Sequence, residues 1–160
     1  MSSADPSTGT AQAVSETILV IDPDILVRMV IAGYLRECGY AVIEAVSVEE
    51  AWIVLTSGRP VDVVLVELTL HGAIEGFALA QHVHQHFPDI DVILTGSASS
   101  TANKAHDLCE DGHLDKPYHP KEIVNRISQL RERRRVSISA RPPAVGSARQ
   151  SEGLPPLKPM

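Results

Sequence analysis

The stretch TILVIDPD, residues 17–24, decides the fold. Ile18 to Ile21 are four apolar residues in succession behind Thr17, cut off by Asp22-Pro23-Asp24. A short run that is apolar at consecutive positions meets apolar surroundings on both faces of its pleat, as strands of parallel sheets do. Beyond it the chain reads as a helix to Cys38. Ile25, Leu26, Met29, Val30, Ala32 and Leu35 recur near helical spacing, Asp24 suits the helix start, and Gly39 suits the position just past its end.

Outward from this stretch the alternation repeats. Tyr40 to Ala45 is a second strand. Ser47 with Glu50 three residues on forms a capping box for a helix to about Thr56, closed by Gly58. Val61 to Glu67 is a third strand, apolar apart from Asp62 and ended by Glu67. Phe77 to Phe87 is a third helix, stopped before Pro88, and Asp91 to Thr95 a fourth strand. Residues 99–110 give a weaker fourth helix, and Leu114 sits in a very short fifth strand. Pro120 opens the last helix, with Ile123, Val124, Ile127 and Leu130 as its apolar stripe. Five β–α units with strands apolar on both faces predict an α/β fold: a parallel sheet covered by helices on both sides.

Composition agrees. The 160 residues are 44% hydrophobic and 21% charged, which excludes wholesale disorder and fits one domain with tails. No apolar stretch approaches the roughly 20 residues that span a bilayer. The N-terminus has neither the basic nor the apolar region of a signal peptide. Two cysteines cannot make a disulfide framework, and a cytoplasmic location is expected. The expected layout is a disordered tail over 1–16, a domain over 17–134 and a disordered Pro/Arg-rich tail over 135–160. Charge is split along the chain. Residues 17–130 carry 7 Lys/Arg against 16 Asp/Glu, net −9, whereas residues 131–160 carry 7 against 2, net +5. The basic footprint of a nucleic-acid binder is thus missing from the folded part.

In sheets of this kind ligands bind beyond the carboxyl ends of the strands. The residues there are Asp22, Pro23 and Asp24; Glu67; Thr95 and Gly96; and Lys116 and Pro117. Carboxylates at such a point suit Mg²⁺, which takes hard oxygen ligands, while a lysine neutralises a phosphoryl group and a hydroxyl hydrogen-bonds it. Any one of them is an ordinary loop polar. Four in order, each at the end of its own strand, point to a site.

The segments ILVIDPDILVR, VDVVLVELTLHGAIEGFAL, VILTGSAS and DKPYHPKEI resemble the receiver domain of two-component response regulators, over about residues 17–131. The resemblance implies a flavodoxin-like (βα)5 sandwich with strand order 2-1-3-4-5. It implies a domain that takes a phosphoryl group from a histidine kinase onto an aspartate with Mg²⁺, and that signals through the face of its fourth helix, fifth strand and fifth helix. The same face offers a possible homodimer contact. The resemblance also implies a cis Lys116–Pro117 bond that aims the lysine across the site. The Gly72–Gly76 stretch is one residue longer than the commonest form and is similar to a subset of short, stand-alone regulators.

Residue by residue the match is partial. The first acid of the family pattern falls on Asp22, the hydroxyl on Thr95 and the lysine on Lys116. The second acid, which touches the metal, falls on Pro23, which has no ligand to give. The acceptor aspartate falls on Glu67, the following proline on His71, and the aromatic switch on His113. Asp24 reads as a helix cap rather than a substitute acid. The longer Glu67 reaches roughly 1.5 Å further toward Lys116 than an aspartate, using ordinary bond lengths. Loss of the acid at position 23 removes a like charge that would repel Glu67. Together these changes predict a metal-independent Glu67–Lys116 pair, with Asp22, Glu67 and the Thr69 carbonyl left as a vestigial metal site.

The remaining features take plain readings. His82, His84 and His86 form a solvated helix face, although His82 and His86 have i, i+4 metal-ligand spacing. His113 fills the space of the switch aromatic. Cys38 and Cys109 read as buried or semi-buried structural thiols, Tyr34 and Trp52 as core or near-core aromatics, and Arg131, Arg133, Arg134 and Arg135 as a solvated helix end. The expected function is a stand-alone, non-enzymatic receiver-like module that binds a histidine kinase or other signalling protein, needs no cofactor and binds Mg²⁺ weakly or not at all. The alternative is a response regulator still phosphorylated with Mg²⁺ on Glu67 or a nearby acid. A flavin- or nucleotide-binding protein is disfavoured, because acids follow the first strand where a phosphate would need bare amides.

Overall fold

The computed structural model describes residues 15–70, 75–96 and 114–140. These residues hold five strands, β1 (Thr17–Ile21), β2 (Ala41–Ala45), β3 (Val63–Glu67), β4 (Asp91–Gly96) and β5 (Leu114–Asp115), and four helices, α1 (Ile25–Glu37), α2 (Val48–Thr56), α3 (Glu75–His86) and α4 (Pro120–Ser139). The helix expected over 99–110 lies outside the described residues, as do His71, Gly72, Cys109 and His113.

All pairings are parallel and the sheet order is β2-β1-β3-β4-β5. The fold expected from the sequence is therefore present. Alternation along the strands builds two cores. Leu19, Ile21, Val64, Val66 and Leu94 face α2 and α3, packing on Ala51, Leu55, Leu79 and Val83. Ile18, Val20, Val63, Leu65 and Ile93 face the other way onto Ile31, Leu35, Ile123 and Ile127 of α1 and α4. β3 lies in the middle of the sheet and is buried throughout. This is why its run reads as continuously apolar.

The helix starts follow local chemistry. The Asp24 carboxylate accepts from the N–H groups of Leu26 and Val27, so its place is the cap. Ser47 accepts from Glu50 N–H, while the Glu50 carboxylate reaches back one residue further than a standard capping box, to Val46 N–H at 2.9 Å. His119 caps α4 through Nδ1, with Pro120 in its first turn.

Several expectations need correction. The face of α1 on the sheet is Arg28, Ile31, Ala32 and Leu35, whereas Ile25, Leu26, Met29 and Val30 are exposed. Cys38 is the C-cap of α1 and is exposed, not buried. Trp52 lies at the rim, 40% exposed, edge-on to His82 and Phe87, and His82 stacks on His86 with ring centroids 4.0 Å apart. α4 runs to Ser139, past the domain end expected at residue 134, and Glu16, expected in the tail, is tied down. Arg131 Nε donates to Glu16 at 2.8 Å, and its other nitrogens reach Asp91 at 3.2 Å and Asp62 at 3.4 Å. Arg134 binds Asp91 at 2.6 Å. Among the described residues no helix is long and apolar enough to cross a membrane.

Candidate functional site

Strand register brings the site together. Glu67, the last residue of β3, stands opposite Thr95 of β4, and Thr95 stands opposite Leu114 of β5. Asp22 follows β1 directly, and Lys116 follows β5. Four residues far apart in sequence thus meet at one edge of the sheet. The Lys116–Pro117 peptide is cis.

Lys116 is at the centre. Its Nζ donates to Asp22 Oδ2 at 2.9 Å and lies 2.6 Å from Glu67 Oε2. The contact with Glu67 is an ion pair without hydrogen-bond alignment, whereas the bond to Asp22 is aligned. Both carboxylates are buried, with side-chain exposures of 4% for Asp22 and 8% for Glu67, against 27% for Lys116. Burial pulls the lysine pKa down, but the close contacts with the Glu67 and Asp22 carboxylates and their charges outweigh it and hold the ammonium above the ordinary lysine value. The cluster carries two formal negative charges and one positive charge.

Each member is fixed from behind. Glu67 Oε1 accepts the Thr69 N–H at 3.3 Å. Asp22 Oδ1 accepts the Asp24 N–H at 2.9 Å, and the Asp22 carbonyl accepts Arg28 Nη1 at 2.7 Å. Thr95 is fully buried, with its hydroxyl 3.5 Å from the Val66 carbonyl. Gly76, near the start of α3, touches the end of β3 so closely that a Cβ there would overlap the Glu67 carbonyl. That glycine is what lets the helix sit against the site.

The structure therefore brings together Asp22, Glu67, Thr69, Thr95 and Lys116, and His113 lies outside the described residues. One pairing and two contributors, Arg28 and Tyr118, went unread in the sequence. Lys116 pairs with Asp22 as well as Glu67, and a list of strand-end residues does not say which oxygen an ammonium takes. Arg28 is a buried arginine that also contacts Glu44 at 3.4 Å, and its helical phase with Ile31, Ala32 and Leu35 was the available signal. Tyr118 sits two residues beyond Lys116. Burial pushes its hydroxyl pKa up, partly offset by the Lys116 charge and the Thr95 hydroxyl and reinforced by both carboxylates.

The residues from 18 to 128 match the family model of the response regulator receiver domain. The phosphate regulon transcriptional regulatory protein PhoB of Pseudomonas aeruginosa is 30% identical over 137 residues, covering 83% of this chain and 59% of that protein. This chain thus spans less than two thirds of that relative. A protein of Chloroflexus aurantiacus J-10-fl assigned as a response regulator superposes with a TM-score of 0.64 at 28% identity, over 72% of this chain and 97% of that one. The CheY-like receiver domain protein of Methanospirillum hungatei JF-1 gives a TM-score of 0.69 at 20% identity, over 77% and 98%, a likeness of fold. With its sheet order, its strand-end cluster and these matches, the chain belongs to the response regulator receiver domain family.

Proposed function

We propose that this receiver domain signals by binding a partner, a histidine kinase or another protein of a phosphorelay, and that Glu67 stands as a resident substitute where relatives of this pattern carry a phosphoacceptor aspartate. The observation that carries this reading is the Lys116 ammonium held 2.6 Å from Glu67 Oε2. The cation that would receive a phosphoryl group already has a carboxylate on it. The domain acts as a binding module and not as an enzyme.

The donor set does not fit Mg²⁺. Pro23 gives no side-chain oxygen, and the Asp22 and Glu67 carboxylates are both turned onto Lys116. Mg²⁺ requires a near-octahedral oxygen shell and gives up water reluctantly, so a site with these oxygens engaged has little to offer it. A partner surface lies alongside. The exposed apolar side chains of Ile25, Leu26, Met29 and Val30 start directly after the Asp24 cap, and Arg28 of the same helix holds the Asp22 carbonyl.

Thermal unfolding with Mg²⁺ tests the reading. The wild-type midpoint is expected to be the same in millimolar Mg²⁺ as in NaCl of matched ionic strength. The double variant Pro23→Asp/Glu67→Asp, which restores both acids of the family pattern, is expected to rise with Mg²⁺ because only a ligand of the folded state stabilises it. A clear Mg²⁺-dependent rise in the wild type would contradict the proposal.

A further inference from the structure

The geometry points to Gly96 as a positioning residue: we propose that its missing side chain is what allows a glutamate to end β3 with its carboxylate on Lys116. The inference rests on the reading of the Glu67–Lys116 pair given above. It assigns to Gly96 a role that the strand-end motif does not contain.

A Cβ built on Gly96 would lie 2.7 Å from Glu67 Oε1, 3.2 Å from Leu68 Cβ and 3.4 Å from Leu68 Cδ1. The first distance is shorter than any real contact of this kind, so one of the two groups must yield. Neither side yields easily. Glu67 Oε1 is the acceptor of the Thr69 N–H, and Oε2 of the same carboxylate is the atom against Lys116. Rotating the carboxylate away breaks one or both of these contacts in a place almost closed to water. Leu68, on the other flank, is fully buried in the core under α2 and α3. The extra methylene of glutamate creates the conflict, because an aspartate carboxylate would be withdrawn by roughly 1.5 Å. Glu67 and Gly96 therefore form a matched pair. With a side chain at 96, Glu67 is turned off the ammonium and Lys116 is left to Asp22 alone.

Gly96 also has φ +150°, a backbone conformation that glycine adopts far more readily than residues with a side chain. Strain from this source is the same whatever stands at position 67. A double-mutant cycle separates it from the contact with Glu67. We expect Gly96→Ala to lower the thermal midpoint by at least about 3 °C more in the wild-type background than in the Glu67→Asp background. A second readout follows Lys116 itself, by NMR titration of its side-chain ammonium. Gly96→Ala is expected to lower the Lys116 titration midpoint where Glu67 is present and to leave it unchanged in the Glu67→Asp background, which a general loss of stability would not do. A Gly96→Ala protein that fails to fold but is rescued by Glu67→Asp supports the pairing equally. Equal losses in the two backgrounds, up to failure of both to fold, or a Lys116 titration indifferent to Gly96→Ala, would overturn it. Such a result would leave the Mg²⁺ behaviour of the wild type untouched, so the two readings fail separately.

Discussion

Lys116 is shared between two buried carboxylates, and its removal exposes what the sharing is worth. Lys116→Met would leave Asp22 and Glu67 facing one another without their cation. Breaking a buried pair costs roughly 3–5 kcal/mol, and we expect the lower end, about 3 kcal/mol, because part of the lysine side chain is exposed. Urea unfolding of the two proteins measures it. The pH dependence has a definite sign. The folded pKa of Lys116 is raised above its ordinary 10.5, so the pairing contributes fully below that value and is lost as pH rises through the folded pKa. The gap between wild type and Lys116→Met should be flat from about pH 7 to 9 and narrow only above about 10.5. A gap that closes near pH 7 would show that the ammonium is not held by the carboxylates. Asp22, Glu67, Thr95 and Lys116 were legible in the sequence, since each ends an apolar run and parallel strands gather their ends. Gly96 was legible as a strand-end residue but not as a neighbour of Glu67, because close approach depends on register.

At the scale of elements, α1 and α4 show where periodicity suffices and where it does not. α1 carries two apolar sets, Ile25/Leu26/Met29/Val30 and Ile31/Ala32/Leu35, and helical spacing alone does not choose between them. Arg28 falls in phase with the second set, which makes that set look less apolar than the first. The structure buries the second set, and Arg28 is accommodated with it because it has partners at the strand ends, the Asp22 carbonyl and Glu44. In α4 the stripe Ile123/Ile127 was readable and is buried. The basic run that follows read as a solvated helix end because its counter-ions, Glu16, Asp62 and Asp91, lie before β1, before β3 and at the start of β4. Arg131→Gln cuts the bonds to Glu16, Asp62 and Asp91. We expect a loss of about 1 kcal/mol at low salt for these partly exposed ion pairs, shrinking as ionic strength rises. Denaturation of both proteins at two salt concentrations decides it, and a loss independent of salt would mean that packing, not charge, holds α4.

For the whole molecule, strand order and the two-sided core follow from apolar runs at β–α spacing, and these were legible. The end of the last helix was not. A Pro- and Arg-rich composition marked the end at residue 134, yet the helix continues to Ser139, held at Arg131 and Arg134 by acids distant in sequence. In the reading proposed above, the molecule is a receiver domain that keeps the fold, the lysine and the hydroxyl but carries its own carboxylate where a phosphoryl group would sit. The most direct measurement is the intact mass of the wild-type protein after incubation with acetyl phosphate and Mg²⁺. We expect no stable gain of one phosphoryl group. A near-stoichiometric adduct mapped to Glu67 would contradict the claim and make the chain a phosphorylated response regulator with a glutamate acceptor.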